Sequence, residues 1–241
     1  MQKGDQHVLL FAAIVCVTCS LLLSGTAAAL REKQDFNVEM DRRVNVLKAF
    51  GVEVANEKGK RIITDDDVIA TFKKHIFEVV LDRNGQILEG VSSDDLTSAD
   101  KKKKLKLPLY QWSEEDTVTR YAFPISGYGL WSTLYGYMAL EKDLATVIGV
   151  TFYDHKETPG LGGECSMPWF MDQFAAKIVW ADGKLLPFEV VKGGVAVKYP
   201  SGCLHCVDGI SAATITSNGI TTFIREDLAL YDAYFKTIRG S

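Results

Sequence analysis

The sequence predicts an α+β domain carried behind a single membrane-crossing helix. Val8–Leu30 is a charge-free run of 23 residues, enough for the roughly 20 helical residues that cross a hydrocarbon core. Downstream, β-branched and aromatic runs are mixed with stripes of helical period. No internal repeat, Pro-rich linker or second compositional boundary interrupts them. A chain of 241 residues therefore amounts to one domain of ordinary size with a short appendage.

The expected organisation is a short tail at residues 1–7, a transmembrane helix at 8–30 and a domain at 31–241. A cleaved signal peptide is the rival reading, because Ala27–Ala29 resembles a small-residue processing site. The apolar run exceeds the roughly 7–15 residues of a signal core, which favours a retained helix. Either way the rest of the chain is carried across the membrane. Lys3 stands against Arg31, Lys33, Arg42 and Arg43, so flanking charge alone does not set the orientation.

Phe36, Met40, Val44, Leu47 and Phe50 follow a helical stripe that Gly51 stops. Thr64 before Asp65–Asp67 is an N-cap with a dipole-matched first turn, opening a helix to about His75. Ile76–Leu81 and Gln86–Leu88 read as strands across an Arg83-Asn84-Gly85 turn. Ser92–Lys104 is polar and reads as a loop, its lysine run solvated. Val118–Ile125 and Val147–Tyr153 read as strands, and Ser166 before Met167-Pro168 opens a helix carrying Trp169, Phe170 and Phe174. Lys177–Trp180 and Leu185–Val191 form a hairpin signal around Ala181-Asp182-Gly183, followed by a strand at Val195–Tyr199. Gly219–Phe235 reads as the final amphipathic helix.

Lys and Arg number 27 against 31 Asp and Glu, a net charge of −4 with no basic face. Nucleic acid is excluded as a partner on that ground. Cys16 and Cys19 fall in the apolar run as small apolar residues. Cys203-Leu204-His205-Cys206 is compatible with a disulfide, half of a metal site or two free thiols, the first and last being favoured because no second pair accompanies it. No metal site is expected: His155 and His205 lack partners at ligand spacing.

Three segments carry chemistry. Val207–Gly219 places small and hydroxyl side chains before a helix, where unpaired N–H groups and the dipole suit a phosphate. Its bland reading is a capped helix start with Thr216 or Ser217 as N-cap. Ser126–Ser132 and Glu157–Glu164 are Gly-rich and match neither a Walker loop nor a dinucleotide fingerprint. Each alone reads as a turn, although glycines also let a backbone approach a planar ring.

Asp208-Gly-Ile-Ser211-Ala212-Ala213-Thr214 resembles the flavinylation signature of bacterial membrane redox complexes, Asp-x-x-Ser/Thr-Gly-Ala-Thr/Ser. Gly129-Leu130-Trp131-Ser132 and Glu157-Thr158-Pro159-Gly160-Leu161-Gly162 resemble two further elements of one family, in that family's order: the C subunit of the sodium-translocating NADH:quinone oxidoreductase. Asp41, Asn45, Leu47 and Gly51 look like its segment after the anchor. The resemblance implies FMN esterified through its phosphate to Thr214, with Ser211, Ala213, Thr216, Leu130, Trp131, Thr158, Leu161 and Gly162 around it. It implies that Asp208 is read by a separate flavin transferase using FAD. It also implies a complex of six subunits in the bacterial inner membrane, with this domain on the extracytoplasmic side. There the flavin relays electrons from NADH toward quinone while sodium is pumped, and no protein side chain is itself catalytic. The alternatives are the related G subunit of an Rnf complex and an anchored flavin-binding domain outside any pump. One position departs: Ala212 stands where the family has Gly, and at positive φ it would carry roughly 1 kcal/mol of strain.

Overall fold

The computed structural model describes residues 3–56 and 61–240, with side chains from His7 on. The anchor and the helical stripe after it form one continuous helix, α1 (Lys3–Ala49). The chain divides into two compact units between Arg42 and Arg43. In the first, α1 is long and apolar enough to cross a membrane, with Val8, Phe11 and Leu21–Leu23 exposed along it. Its threonines satisfy themselves: Thr18 and Thr26 donate to the carbonyls of Ile14 and Leu22, both at 2.8 Å.

The second unit is built on an antiparallel sheet in the order β1 (Ile76–Leu81), β2 (Leu107–Glu114), β3 (Thr117–Tyr128), β4 (Thr133–Glu141), β5 (Val147–Asp154). Helix α2 (Asp65–His75) precedes it, starting at Thr64 in a full capping box with Asp67 as expected. Strands β2 and β4 are not apparent from the sequence pattern. Pro108 is the second residue of β2, opposite Val80, and Met138–Leu140 in β4 are helix formers overridden by pairing on both sides. The polar stretch 92–104 is not all loop. It contains a 3-10 turn at Ser93–Asp95 and a helix, α3 (Ser98–Lys103), capped by Ser92 and Thr97.

The last helix, α6 (Thr214–Arg239), starts five residues earlier than the sequence suggests. Ile220, Phe223, Ile224, Leu228, Tyr231 and Phe235 form its buried stripe. They meet Tyr121, Phe123 and Ile125 of β3 in the main core, with the Phe123 and Tyr231 rings 4.5 Å apart. The opposite sheet face holds Tyr110, against Phe72 of α2 at 6.1 Å, and Trp112, against Phe50 at 5.5 Å.

The remaining elements are short: α4 (Pro168–Met171), a hairpin of β6 (Trp180–Ala181) and β7 (Lys184–Leu185), and β8 (Glu189–Val191). The expected strand at Val195–Tyr199 is instead a helical turn, α5 (Val195–Lys198). Gly193 and Gly194, both at positive φ, turn the chain there, and Asp208 Oδ1 accepts the Val195 N–H at 2.6 Å. β8 pairs in parallel with β9 (Cys206–Asp208), delivering the chain to the start of α6.

Candidate functional site

Three segments meet at the N-terminal end of α6, and each is brought close by a glycine. Gly127 lies against Phe223, where a Cβ would approach that side chain to 2.3 Å. Gly219 lies against the Tyr128 carbonyl, where a Cβ would sit at 2.1 Å. The β3–β4 turn, residues 129–132, therefore rests directly on the first turns of α6. Gly162 completes the junction, with a built Cβ 2.6 Å from both Glu157 Oε2 and Thr216 Oγ1. These glycines permit backbone contact rather than punctuate turns.

Glu157 ties the segments together. Its Oε1 accepts the N–H groups of Trp131 at 2.8 Å, Leu130 at 3.1 Å and Ser132 at 3.2 Å. Its Oε2 accepts the Thr216 hydroxyl at 2.7 Å. The side chain is buried. Burial favours the neutral acid, but hydrogen bonds from the Thr216 hydroxyl and the Trp131, Leu130 and Ser132 N–H groups outweigh it and hold the carboxyl below its ordinary value. Glu157 belongs to a recognised element but is not among the residues expected to form the site. A carboxylate facing a Gly-rich turn that offers consecutive N–H donors is the signal that points to it.

The segments enclose a cleft of about 400 Å³ lined by Leu130, Trp131, Thr158, Leu161, Gly162 and residues 212–216, with Glu157 at its wall. Eight expected site residues thus share one cavity: Leu130, Trp131, Thr158, Leu161, Gly162, Ala213, Thr214 and Thr216. Ser211 and Asp208 do not line it. Ser211 is exposed in the turn before the helix, and Asp208 is exposed with one carboxylate oxygen engaged by Val195 N–H. Trp131 and Leu161 remain 69% and 41% exposed, so the cleft offers two apolar faces that the protein itself leaves uncovered.

The hydroxyls at the helix start divide by what they already do. Thr216 is buried on Glu157, and buried Ser217 accepts the Ile210 N–H at 3.2 Å. Neither is the N-cap; that position is Ala213, with no side-chain bond. Thr214 is the first residue of α6 and half-buried, and among the described residues nothing hydrogen-bonds its hydroxyl. Ala212 just before it is at φ 57°, the left-handed conformation that favours glycine.

Away from the cleft, Cys203 and Cys206 are joined in a disulfide. His205 brings a third ligand atom within 4.8 Å of the two sulfurs, but both sulfurs are consumed by the bond. Cys165 is buried, which pushes its thiol up to about 12 and leaves it inert. The expected solvated lysine run is solvated only in part: Lys104 turns inward to Asp227 and to the Ser126 carbonyl.

Residues 129–229 match the FMN-binding domain family, a span that contains the whole cleft. The protein is 33% identical over 236 residues to the C subunit of the Na(+)-translocating NADH-quinone reductase of Vibrio anguillarum, covering 88% of this chain and 86% of that one. It is 30% identical to the same protein of Pseudomonas aeruginosa, covering 99% and 97%. The chain belongs to the C-subunit family of Na(+)-translocating NADH-quinone reductase. The crystal structure of the family member from Parabacteroides distasonis superposes with a TM-score of 0.70 at 26% identity, covering 85% of this chain and 96% of that one. The chain is thus an α+β flavoprotein component of an oxidoreductase, and its N-terminal apolar helix supports a membrane-anchored protein.

Proposed function

We propose that this chain carries FMN covalently on Thr214 and relays electrons from NADH toward quinone within a sodium-pumping membrane complex of six subunits. The observation that carries the attachment point is the Thr214 hydroxyl: it lines the cleft, has no hydrogen-bond partner among the described residues and stands at the start of a 26-residue helix. The residues present fit the cofactor. A cleft of about 400 Å³ lies within the range of small-molecule sites. Leu130, Trp131 and Leu161 offer apolar surface to a planar ring, and the helix start offers N–H groups and a positive dipole end to a phosphate. FMN supplies electron transfer when bound; the protein holds it, shields it and tunes it.

In attachment, Thr214 Oγ1 gains a bond to the flavin phosphate and loses its proton, while AMP departs from the FAD used by a flavin transferase. Asp208 has one carboxylate oxygen beyond the Val195 contact and is exposed, which supports its reading by that enzyme. Residues 8–30 remain on the mature protein as the transmembrane helix, and the domain at 31–241 faces the extracytoplasmic side.

The test is in-gel flavin fluorescence after denaturation, with peptide mass spectrometry of residues 208–217, in chain coexpressed with its transferase. Thr214→Ala abolishes covalent flavin at a folding cost of only about 1 kcal/mol, and Thr214→Ser retains it. Covalent FMN on the Thr214→Ala protein would place the attachment elsewhere.

A further inference from the structure

We propose that the Cys203–Cys206 disulfide is a thiol-exchange site with fixed polarity, opened by a dithiol reductant attacking Cys203. The two cysteines differ in exposure: Cys203 is half-buried, while Cys206 is fully buried. The chain before Cys203 (Ser201, Gly202) and Leu204 after it are exposed, Leu204 by 68%. An incoming thiolate therefore meets Cys203. It forms a mixed disulfide there and expels Cys206 as the thiolate. The reductant's second thiol then attacks the mixed disulfide and frees Cys203. The reductant leaves as its own disulfide, two electrons poorer, and two protons end on Cys203 and Cys206. His205 holds a ring nitrogen within 4.8 Å of both sulfurs, so the dithiol that forms lies beside an imidazole.

The bridge is not needed to hold its own strand. It joins residues only three apart, and so short a loop constrains the unfolded chain little. Backbone bonds hold the two residues inside the bridge. Ile178 N–H donates to the Leu204 carbonyl at 2.8 Å, and Glu189 N–H to the His205 carbonyl at 2.9 Å. Val190 and Val207 remain paired in the β8–β9 ladder. Opening the disulfide thus leaves Asp208 and the start of α6 where they are, and chemistry at these sulfurs is separate from chemistry at Thr214. The partner class is a thiol–disulfide oxidoreductase, with Leu204 as its apolar contact.

The experiment uses the full-length, flavin-loaded chain in detergent, equilibrated with dithiothreitol or glutathione buffers, acid-quenched and alkylated. Peptide mass spectrometry separates residues 203 and 206 from Cys16, Cys19 and Cys165. The expected result is that the native bridge opens in dithiothreitol with circular dichroism and flavin content unchanged. With oxidised glutathione, Cys203 in Cys206→Ser reacts at least about tenfold faster than Cys206 in Cys203→Ser, as access controls thiol reactivity. Equal rates, or a bridge that opens only in denaturant, overturn the proposal. So does loss of native circular dichroism on reduction or in either variant. Stoichiometric Zn²⁺ uptake by the reduced protein that blocks reoxidation also overturns it, assigning the three residues to a metal instead. Should Thr214 carry no flavin at all, circular dichroism and the alkylation pattern still decide the thiol question.

Discussion

Glu157→Gln probes the junction on which the cleft depends. The substitution keeps the shape of the side chain but replaces a charged acceptor with an amide. In the wild type, four donors converge on the carboxylate: the N–H groups of Leu130, Trp131 and Ser132, and the Thr216 hydroxyl. A glutamine carbonyl placed at Oε1 retains the three N–H bonds, and Thr216 can rotate to accept from the amide. What is lost is charge assistance. Bonds to an ionised group contribute about 1.5–3 kcal/mol against about 1 for neutral pairs, so three weakened bonds amount to roughly 1.5–6 kcal/mol. At about 2–4 °C per kcal/mol for a domain of this size, Tm falls by at least about 3 °C. Alanine is the poorer probe, because it leaves all four donors unsatisfied.

The assay is thermal unfolding of the full chain in detergent, followed by near-ultraviolet circular dichroism, with Trp131 among the reporters. A pH series gives an independent arm. The Glu157 carboxyl is held below its ordinary value of 4.5, so its contribution is present above that value and disappears as pH falls through the lower folded value. The glutamine protein lacks that acid-side loss. A variant that melts within about 1 °C of wild type and keeps the same acid profile would refute the reasoning, since three charge-assisted bonds cannot be weakened without a larger shift.

Ala212→Gly relieves the left-handed strain at φ 57° and raises stability by up to about 1 kcal/mol; an unchanged or lower Tm counts against strain there. Asp227 is 1% exposed, and burial raises its carboxyl to about 6 against the pull of Lys104. Stability from this group is greatest below the ordinary value of 3.8 and is lost as pH rises to about 6, so Asp227→Asn flattens denaturant midpoints between those limits, a span of up to about 3 kcal/mol. On the proposed attachment to Thr214, Trp131→Ala keeps the covalent flavin but alters its fluorescence and potential, because stacking contributes on the order of 1 kcal/mol beyond burial; identical spectra would remove Trp131 from the proposed flavin site.

Much of the frame is legible in the residues. Thr64 with Asp65–Asp67 predicts α2 at its observed start, because a capping box is a local device that tertiary contacts need not complete. The α+β class, the charge-free helix and the strands β1, β3 and β5 follow from composition and period. What escapes is whatever distant contacts decide. β4 is a strand because β3 and β5 flank it, despite Met138–Glu141. The stretch Val195–Tyr199, rich in valine, is helical because two glycines and Asp208 turn it. Lys104 is indistinguishable in sequence from Lys101–Lys103, yet only it reaches Asp227, 123 residues away.

The start of α6 illustrates the same division at the level of single hydroxyls. Ser211, Thr214, Thr216 and Ser217 are chemically similar within seven residues, and composition cannot rank them as phosphate acceptors. Their surroundings can. Thr216 is committed to Glu157 and Ser217 to the Ile210 N–H, each inside the core. Modifying either would break a buried bond and leave its partner unsatisfied, at about 1–3 kcal/mol. Ser211 is exposed and does not line the cleft. Thr214 alone combines an uncommitted hydroxyl with a place in the cleft wall, and it owes that place to helix register. Had α6 begun at Gly219, as its apolar stripe alone suggests, all four hydroxyls would sit in a loop with nothing to distinguish them. The five extra helical residues bury Thr216 and Ser217, and the left-handed turn at Ala212 sets Thr214 at the mouth. The strain at Ala212 and the freedom of Thr214 are therefore two consequences of one backbone reversal.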